Sequence, residues 1–226
     1  MLVHVGVNIP VDWEAPTASM AQDPRTEATW FVSAPGRLAR RDDQGRWGTV
    51  SDATRDLPVQ TPQVVRDMAL AGGQGEVWLA TSEGVRVVRG STGSVTSVDL
   101  SRLVPSSVQV RSVATDSRRG TIWLGTDVGA VRIGGNGRMV KIGPESGLPQ
   151  APIRDIVVDA RDGIAWLGTT GGLVRVAPDG TVRVIADDLI SGQVLTLAMD
   201  SARAELWIST DQGVDVVDAG GRVHHV

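Results

Sequence analysis

The stretch DGIAWLGTTGGLVRV, residues 162–176, consists of an apolar run, a turn of small residues and a second apolar run. Two close variants occur earlier in the chain, RGTIWLGTDVGAVRI at 119–133 and QGEVWLATSEGVRVV at 74–88. Short runs rich in β-branched residues and bounded by Gly and Asp are typical of strands joined in a hairpin. The phrase therefore predicts a β-hairpin that recurs along the chain.

Five copies of the phrase align on a tryptophan that precedes a glycine by six positions. The tryptophans are Trp30, Trp78, Trp123, Trp166 and Trp207, and the glycines are Gly36, Gly84, Gly129, Gly172 and Gly213. Seven residues before the tryptophan stands Asp23, Asp116, Asp159 or Asp200, whereas the second copy has Ala71 there. Successive tryptophans are 48, 45, 43 and 41 residues apart by subtraction of their numbers. Periods of about 40–50 residues are typical of propeller blades or of helical arrays.

The pattern inside each copy indicates strands rather than helices. The fourth copy contains the runs IRDIVVD, IAWLGT, GLVRV and TVRVI, which are separated by turns that carry Asp or Gly. No run has the apolar periodicity of a helix, and four strands per repeat is the construction of a β-propeller. We therefore predict a single all-β domain over residues 1–226, a propeller of five blades with four antiparallel strands each. The approximate blades are 16–50, 64–100, 109–143, 152–186 and 193–226.

The two ends of the chain contain one strand more than five blades require. MLVHVGV at 1–7 has strand character, and GRVHHV at 221–226 already supplies a fourth strand to the last copy. Because an open propeller leaves exposed edges, we expect the terminal strands to close the ring. Residues 2–7 would pair with the last blade, either in place of 222–226 or as a fifth strand beside them. The alternative is that five repeats form part of a larger ring, which would make the protein an oligomer instead of the expected monomer.

The residues common to the copies have structural explanations. A tryptophan between two sheets buries a large apolar area, and the glycine that follows it suits a turn with positive φ. The aspartate at the end of the first strand can accept backbone N–H bonds across the turn. The Ser or Thr of WFVS, WLAT, WLGT and WIST can serve as a second hydrogen-bonding residue of the hairpin. These residues are expected to build the scaffold, and a functional site is expected elsewhere.

The fullest copy, GLPQAPIRDIVVDARDGIAWLGTTGGLVRV at 147–176, resembles the repeat of the two-component regulator propeller family. That repeat combines a Leu-Pro entry, an Ile-Arg-x-Ile strand, an Asp and the phrase Leu-Trp-Ile-Gly-Thr-x-x-Gly-Leu. The fourth copy matches at Arg154, Asp155, Asp159, Trp166, Gly168, Thr169 and Gly172, and the third at Arg111, Asp116, Trp123, Gly125, Thr126 and Gly129. The second and fifth copies match less fully, and the first, at 17–41, only loosely.

The resemblance covers roughly residues 16–220 and implies a sensor-type bacterial propeller in front of a histidine kinase. Such propellers often have more than five blades, and we recognise no kinase segment in this chain. A periplasmic or other extracytoplasmic location is implied by the resemblance, although the N-terminal residues lack the features of a signal peptide.

Composition argues against several classes of function. The net charge of −4 and the pI of about 5.4 are unlike the basic face that binds nucleic acid. No apolar run approaches the roughly 18 residues of a membrane span, so we expect no membrane insertion of this chain. The absence of cysteine excludes disulfides and cysteine–zinc sites.

Candidate catalytic residues are scarce. General acid–base catalysis at neutral pH most often uses histidine, and the chain has only His4, His224 and His225, all in terminal strands. Cysteine and tyrosine are absent, and acidic residues are scattered without an evident pair. We therefore expect no catalytic residues, no metal and no cofactor. A propeller lyase, or a glycosidase with a carboxylate pair, is the enzymatic alternative.

A binding site is more consistent with the pattern of arginines. In a propeller the first strands line the central channel, and variable connections at its mouth are where recognition usually occurs. The second residue of the first strand is Arg66, Arg111 or Arg154 in three copies. Guanidinium groups bind carboxylate or phosphate through two parallel hydrogen bonds. We therefore predict a ligand-binding set at the mouth that consists of Arg66, Arg111, Arg154, Asp127 and Asp211.

The alternative for the arginines is a structural ring of ion pairs, because Asp67 and Asp155 follow two of them directly. The function predicted from the sequence is a non-catalytic, sensor-type module that binds a small anionic ligand or a protein at the channel mouth. A scaffold that assembles into a larger propeller or an oligomer is the second possibility.

Overall fold

The computed structural model describes residues 17–23, 26–33, 37–52, 64–71, 75–89, 92–185 and 189–226. These residues form five antiparallel sheets of four strands, and within each sheet the strands follow one another in chain order. The sheets are termed blades 1 to 5. One turn of 3₁₀ helix, Pro144–Ser146, lies between blades 3 and 4.

The strands of the first three blades are as follows. Blade 1 contains β1 (Thr17–Gln22), β2 (Thr29–Ser33), β3 (Arg37–Arg41) and β4 (Trp47–Asp52). Blade 2 contains β5 (Val65–Ala71), β6 (Glu76–Thr81), β7 (Gly84–Arg89) and β8 (Val95–Val98). Blade 3 contains β9 (Val110–Asp116), β10 (Thr121–Thr126), β11 (Gly129–Ile133) and β12 (Met139–Ile142).

The last two blades repeat this order. Blade 4 contains β13 (Ile153–Asp159), β14 (Ile164–Thr169), β15 (Gly172–Val176) and β16 (Val182–Ile185). Blade 5 contains β17 (Val194–Asp200), β18 (Glu205–Thr210), β19 (Val214–Val217) and β20 (Val223–His225). The first strands β1, β5, β9, β13 and β17 lie side by side in that sequence. The predicted architecture of five four-stranded antiparallel blades in a propeller is confirmed.

The core lies between the blades, where two apolar sheet faces meet. Trp123 of blade 3 is 1% exposed and belongs to a cluster with Ile153, Ile156 and Leu167 of blade 4. Equivalent clusters join blades 1 and 2, blades 2 and 3, and blades 4 and 5. In each cluster the tryptophan of one blade faces the next blade. This explains why the strands have apolar residues on both faces.

The hairpin between the second and third strands is held by a threonine. In blade 3, Thr126 Oγ1 donates to the Gly129 carbonyl at 2.6 Å and accepts from the Val128 N–H at 3.1 Å. The same carbonyl bond occurs in three further blades, formed by the pairs Thr81–Gly84, Thr169–Gly172 and Thr210–Gly213. These four glycines have φ values of 110°, 126°, 117° and 157° in chain order. Gly36 lies outside the described residues.

The hairpin between the first and second strands is held by an aspartate. Asp116 Oδ1 accepts from the N–H groups of Arg118 and Arg119 at 3.0 and 3.2 Å, and Oδ2 pairs with the Arg119 guanidinium at 2.9 Å. Asp159 and Asp200 form equivalent bonds with Arg161 and Arg203. In blade 1 the Asp23 N–H donates to the Ala28 carbonyl across the corresponding turn at 2.9 Å.

Trp207 departs from the buried environment predicted for the repeated tryptophans. It occupies the equivalent position on the second strand of its blade, yet its side chain is 41% exposed. The reason is that its ring faces away from blade 4, and no described residue covers that face of blade 5. On the first strand of blade 1, Met20 is 67% exposed. The residues at the equivalent position of the other four first strands are buried, namely Met68, Val113, Ile156 and Leu197. The seam between blades 5 and 1 therefore has two uncovered apolar faces among the described residues.

The predicted closure of the ring by residues 2–7 lies outside the described residues. Within the described residues, Val223–His225 forms the outermost strand of blade 5 and pairs with β19.

Candidate binding site at the channel mouth

A β-bulge occupies the same place in every blade. In each first strand the pairing register skips the second residue, which is Ala18, Arg66, Arg111, Arg154 or Leu195. A bulge leaves one residue without a cross-strand partner and redirects its side chain, and bulges are over-represented beside functional sites. The three arginines singled out from the sequence are therefore bulge residues on the adjacent first strands of blades 2, 3 and 4.

The three arginines have different partners. Arg66 Nη2 donates to Gln109 Oε1 at 2.7 Å, and Arg111 Nε donates to Asp127 Oδ1. Arg154 is exposed and makes no hydrogen bond or ion pair with any described residue. Guanidinium groups stay charged at every ordinary pH. The charge of Arg111 is thus balanced by a carboxylate, whereas described carboxylates balance neither Arg66 nor Arg154.

The two candidate aspartates stabilise loops at the mouth. Asp127, in the turn after β10, pairs with Arg111 and accepts from the Gln109 N–H at 3.4 Å. Asp211, at the equivalent place after β18, accepts from Ser191 Oγ at 2.5 Å. Both carboxylates are therefore engaged with the connections that precede the first strands. Gln109 and Ser191 were missed by the sequence argument because neither belongs to a repeated position.

The suggested ring of ion pairs through Asp67 and Asp155 is wrong. These carboxylates bond to backbone N–H groups of their own blade and of the next one. Asp155 accepts from the Ile156 N–H at 2.8 Å and from the Leu197 N–H and Thr196 Oγ1 of blade 5, both at 2.7 Å. A carboxylate with two oxygens can satisfy several N–H donors at once, so this residue joins blade 4 to blade 5.

Asp67 makes the same kind of connection between blades 2 and 3. It accepts from the Met68 N–H at 2.7 Å, the Val113 N–H at 2.8 Å and Ser19 Oγ at 3.2 Å. Burial raises the pKa of this carboxyl to about 6, and the nearby Asp155 charge adds to the rise, against the lowering effect of the three donors. Asp67 and Asp155 therefore each connect the first strands of neighbouring blades.

The raised pKa of Asp67 predicts a specific loss of stability with pH. Below about pH 4 the carboxyl is protonated in both folded and unfolded chains, so it contributes no penalty. Between about pH 4 and 6 the unfolded chain ionises first, and stability falls by about 3 kcal/mol for a shift of this size. Asp67→Asn should abolish this decrease in stability between about pH 4 and 6. Urea denaturation at pH 4, 5, 6 and 7.5 measures it, and parallel pH profiles for the variant and the wild type would contradict the assignment.

The two histidines that the structure describes lie far from the first strands. His224 Nε2 is 2.9 Å from Asp218 Oδ2, and His225 Nδ1 hydrogen-bonds to Asp215. Both belong to β20, the outermost strand of blade 5. Within the described ranges, no three His, Cys, Asp or Glu side chains are grouped as metal ligands. The helices among those residues include none long and apolar enough to span a bilayer.

Comparison with known proteins relates the chain to others by fold. No family model and no curated protein matches the sequence. Among solved structures, the extracellular domain of a putative hybrid two-component system from B. thetaiotaomicron matches with a TM-score of 0.71 and 18% identity. That match covers 92% of this chain and 28% of the other. The chain therefore spans little more than a quarter of that extracellular domain.

Two other kinds of protein have the same fold. Virginiamycin B lyase from Staphylococcus aureus matches with a TM-score of 0.74 at 12% identity, over 96% of this chain and 71% of the lyase. PorZ, a surface component of the type-IX secretion system of Porphyromonas gingivalis, matches with a TM-score of 0.67 at 18% identity, over 92% and 32% of the two chains. Identities this low establish a shared propeller fold and leave function to be argued from the site.

Proposed function

We propose that this protein is a non-catalytic, sensor-type propeller that binds a small anionic molecule at the channel mouth. Arg66 and Arg154 contact the anion, and Arg111, paired with Asp127, lies on the strand between them. The observation that carries the proposal is Arg154, an exposed guanidinium on a bulge with no partner among the described residues.

The chemistry of the mouth favours an anion. Two guanidinium groups without carboxylate partners lie on first strands that border the same strand, β9. A guanidinium binds a carboxylate or phosphate through two parallel N–H bonds. The chain as a whole is acidic, with a net charge of −4, so two arginines without carboxylate partners are an exception to its overall charge. The packed first strands hold them on a rigid base, which lowers the entropy lost on binding.

The arrangement supports binding better than lyase chemistry. One of the matched lyase structures is a catalytically inactive histidine-to-alanine variant, so a histidine is essential to that enzyme. The described histidines of this chain belong to an outermost strand. The two channel carboxylates, Asp67 and Asp155, are occupied by backbone N–H groups. The proposal includes membership of the two-component regulator propeller family and an extracytoplasmic location, which the extracellular two-component domains of the same fold support.

A thermal-shift screen tests the function. The panel contains inorganic phosphate, succinate, citrate and glucuronate, with glucose and methylamine as neutral and cationic controls. We expect at least one anion to raise the melting temperature of the wild type and to leave the Arg66→Gln/Arg154→Gln double variant unchanged. Arg118→Gln/Arg203→Gln, in the turns that follow the first strands of blades 3 and 5, is the charge-matched control and should keep the response. An equal response in the double variant would refute the site.

A second function is favoured by the seam between blades 5 and 1. Trp207 on one side and Met20 on the other occupy positions that are covered by a neighbouring blade elsewhere in the ring. Phe31 and Trp47 lie on the same face of blade 1 as Met20, and their ring centres are 5.1 Å apart. Large uncovered apolar faces mark association sites. We therefore propose, as the second candidate, a scaffold in which the blade 5 face of one copy packs on the blade 1 face of another.

Sedimentation velocity at rising protein concentration distinguishes this scaffold from a monomeric sensor. Association through the seam should be present in the wild type and absent in Met20→Glu/Trp207→Glu. A wild type that stays monomeric up to about 100 μM would exclude assembly through a second copy, because stable interfaces of this kind have dissociation constants below that range.

A further inference from the structure

The tryptophan of blade 2 differs from those of three other blades in its cross-strand neighbour. Trp30, Trp123 and Trp166 pair across the hairpin with Arg40, Arg132 and Arg175. The guanidinium carbon of Arg40 lies 5.8 Å from the Trp30 ring centre, and that of Arg132 lies 5.8 Å from the Trp123 ring centre. Arg132 also donates to the Pro178 carbonyl of the next blade at 2.9 Å. The arginine thus covers the ring and bridges two blades.

Trp78 has no such cover. Its cross-strand neighbour is Val87, whose short side chain cannot reach over the ring or across to blade 3. A cavity of about 590 Å³ lies in this place between blades 2 and 3. Its apolar lining consists of Trp78, Val98, Ile122, Ile133 and Met139. A volume of this size is within the usual range for small-molecule sites.

The charges at the rim of the cavity are mostly paired. Glu76 and Asp116 form ion pairs with Arg89 and Arg119 at 3.5 and 2.9 Å, which leaves Asp99 as the third carboxylate of the lining. Transfer of a charged group into apolar surroundings is costly unless that group is paired. The apolar lining therefore favours an uncharged aromatic molecule, in contrast to the arginine-bearing mouth.

We infer that the cavity between blades 2 and 3 is a second binding site, which takes an uncharged aromatic molecule. The ring of the ligand packs on Trp78 in the space that an arginine fills in blades 1 and 3. This site is independent of the anion site at the mouth, so either can be correct without the other.

The test uses prodan, an uncharged naphthyl ketone whose fluorescence rises and shifts to the blue in apolar surroundings. The key variant is Val87→Arg, which supplies the cover that Arg40 and Arg132 give their tryptophans. Because arginine occupies the same register position in three other blades, this variant should fold, and circular dichroism with thermal melting verifies it. Val216→Arg makes the same change opposite Trp207 of blade 5 and is the matched control.

We expect saturable prodan fluorescence in the wild type and in Val216→Arg, and at least a tenfold weaker affinity in Val87→Arg. Trp78→Leu, which removes the ring on which the dye packs and keeps an apolar side chain, should weaken binding about 3- to 10-fold. The inference is overturned if the wild type gives no saturable signal, if Val87→Arg binds as tightly as the wild type, or if only Val216→Arg loses binding, which would locate the dye at the seam.

Discussion

Trp123→Ala should reduce the free energy of unfolding by about 3–5 kcal/mol. The side chain is 1% exposed and lies in the cluster that joins blades 3 and 4, so its removal leaves a cavity between two rigid sheets. Sheets that are paired on both sides have little freedom to collapse into the space. Urea denaturation followed by circular dichroism measures the loss, because the signal does not depend on the tryptophan that is removed.

Trp207→Ala is the matched control for this prediction. The residue has the same position on the second strand of its blade, but no described residue covers its outer face, and 41% of the side chain is exposed. We expect a smaller loss, about 1–3 kcal/mol, because this side chain is only partly removed from water. Equal losses for the two variants would mean that the face of blade 5 is covered in solution, and the assignment of an uncovered seam would then be wrong.

Gly129→Ala should destabilise the fold strongly. A Cβ at this residue would lie 2.5 Å from the Ile142 carbonyl oxygen, and the residue has a φ of 126°. Backbone atoms of the same sheet cannot move aside as a flexible side chain does. The variant therefore combines an unfavourable backbone conformation with a steric overlap.

Gly84→Ala separates these two effects. Gly84 has the same place in blade 2 and a φ of 110°, but a Cβ there would meet no atom within 4 Å. We expect it to lose about 1–3 kcal/mol from the backbone alone, and Gly129→Ala to lose about 1–3 kcal/mol more from the overlap. Thermal and urea melts of both variants measure the difference. Identical losses would show that the overlap is relieved without cost.

The fold was predictable because its main determinants recur. The spacing of the tryptophans gives the blade length, and the Thr and Gly that follow give a hairpin whose hydrogen bonds are the same in blades 2 to 5. The exposure of Trp207 could not be predicted in the same way. Burial of a repeated residue depends on the blade that packs against it, and this neighbour is not encoded in the repeat itself.

The sequence predicted where the arginines of the candidate site lie along their strands, but not which residues contact them. The second residue of each first strand was identified from the sequence. Its place in a β-bulge was not, because a bulge depends on how two strands pair and has no signature in the sequence of one strand. The partners of the arginines were also hidden. Asp127 reaches Arg111 from a turn 16 residues away, and Gln109 of blade 3 reaches Arg66 of blade 2. Such contacts arise only when neighbouring blades pack together.

The most direct test of the anion site is an NMR titration of the arginine Nε–Hε resonances with inorganic phosphate at constant ionic strength. Phosphate is a minimal anion that a guanidinium binds through two hydrogen bonds. We predict saturable shifts for Arg154 and Arg66, with the resonance of the Asp127-paired Arg111 moving least. An Arg154 resonance that does not move would contradict a binding site at the channel mouth. So would a shift that rises linearly without saturation, which is the result we expect for Arg203, an exposed arginine outside the mouth.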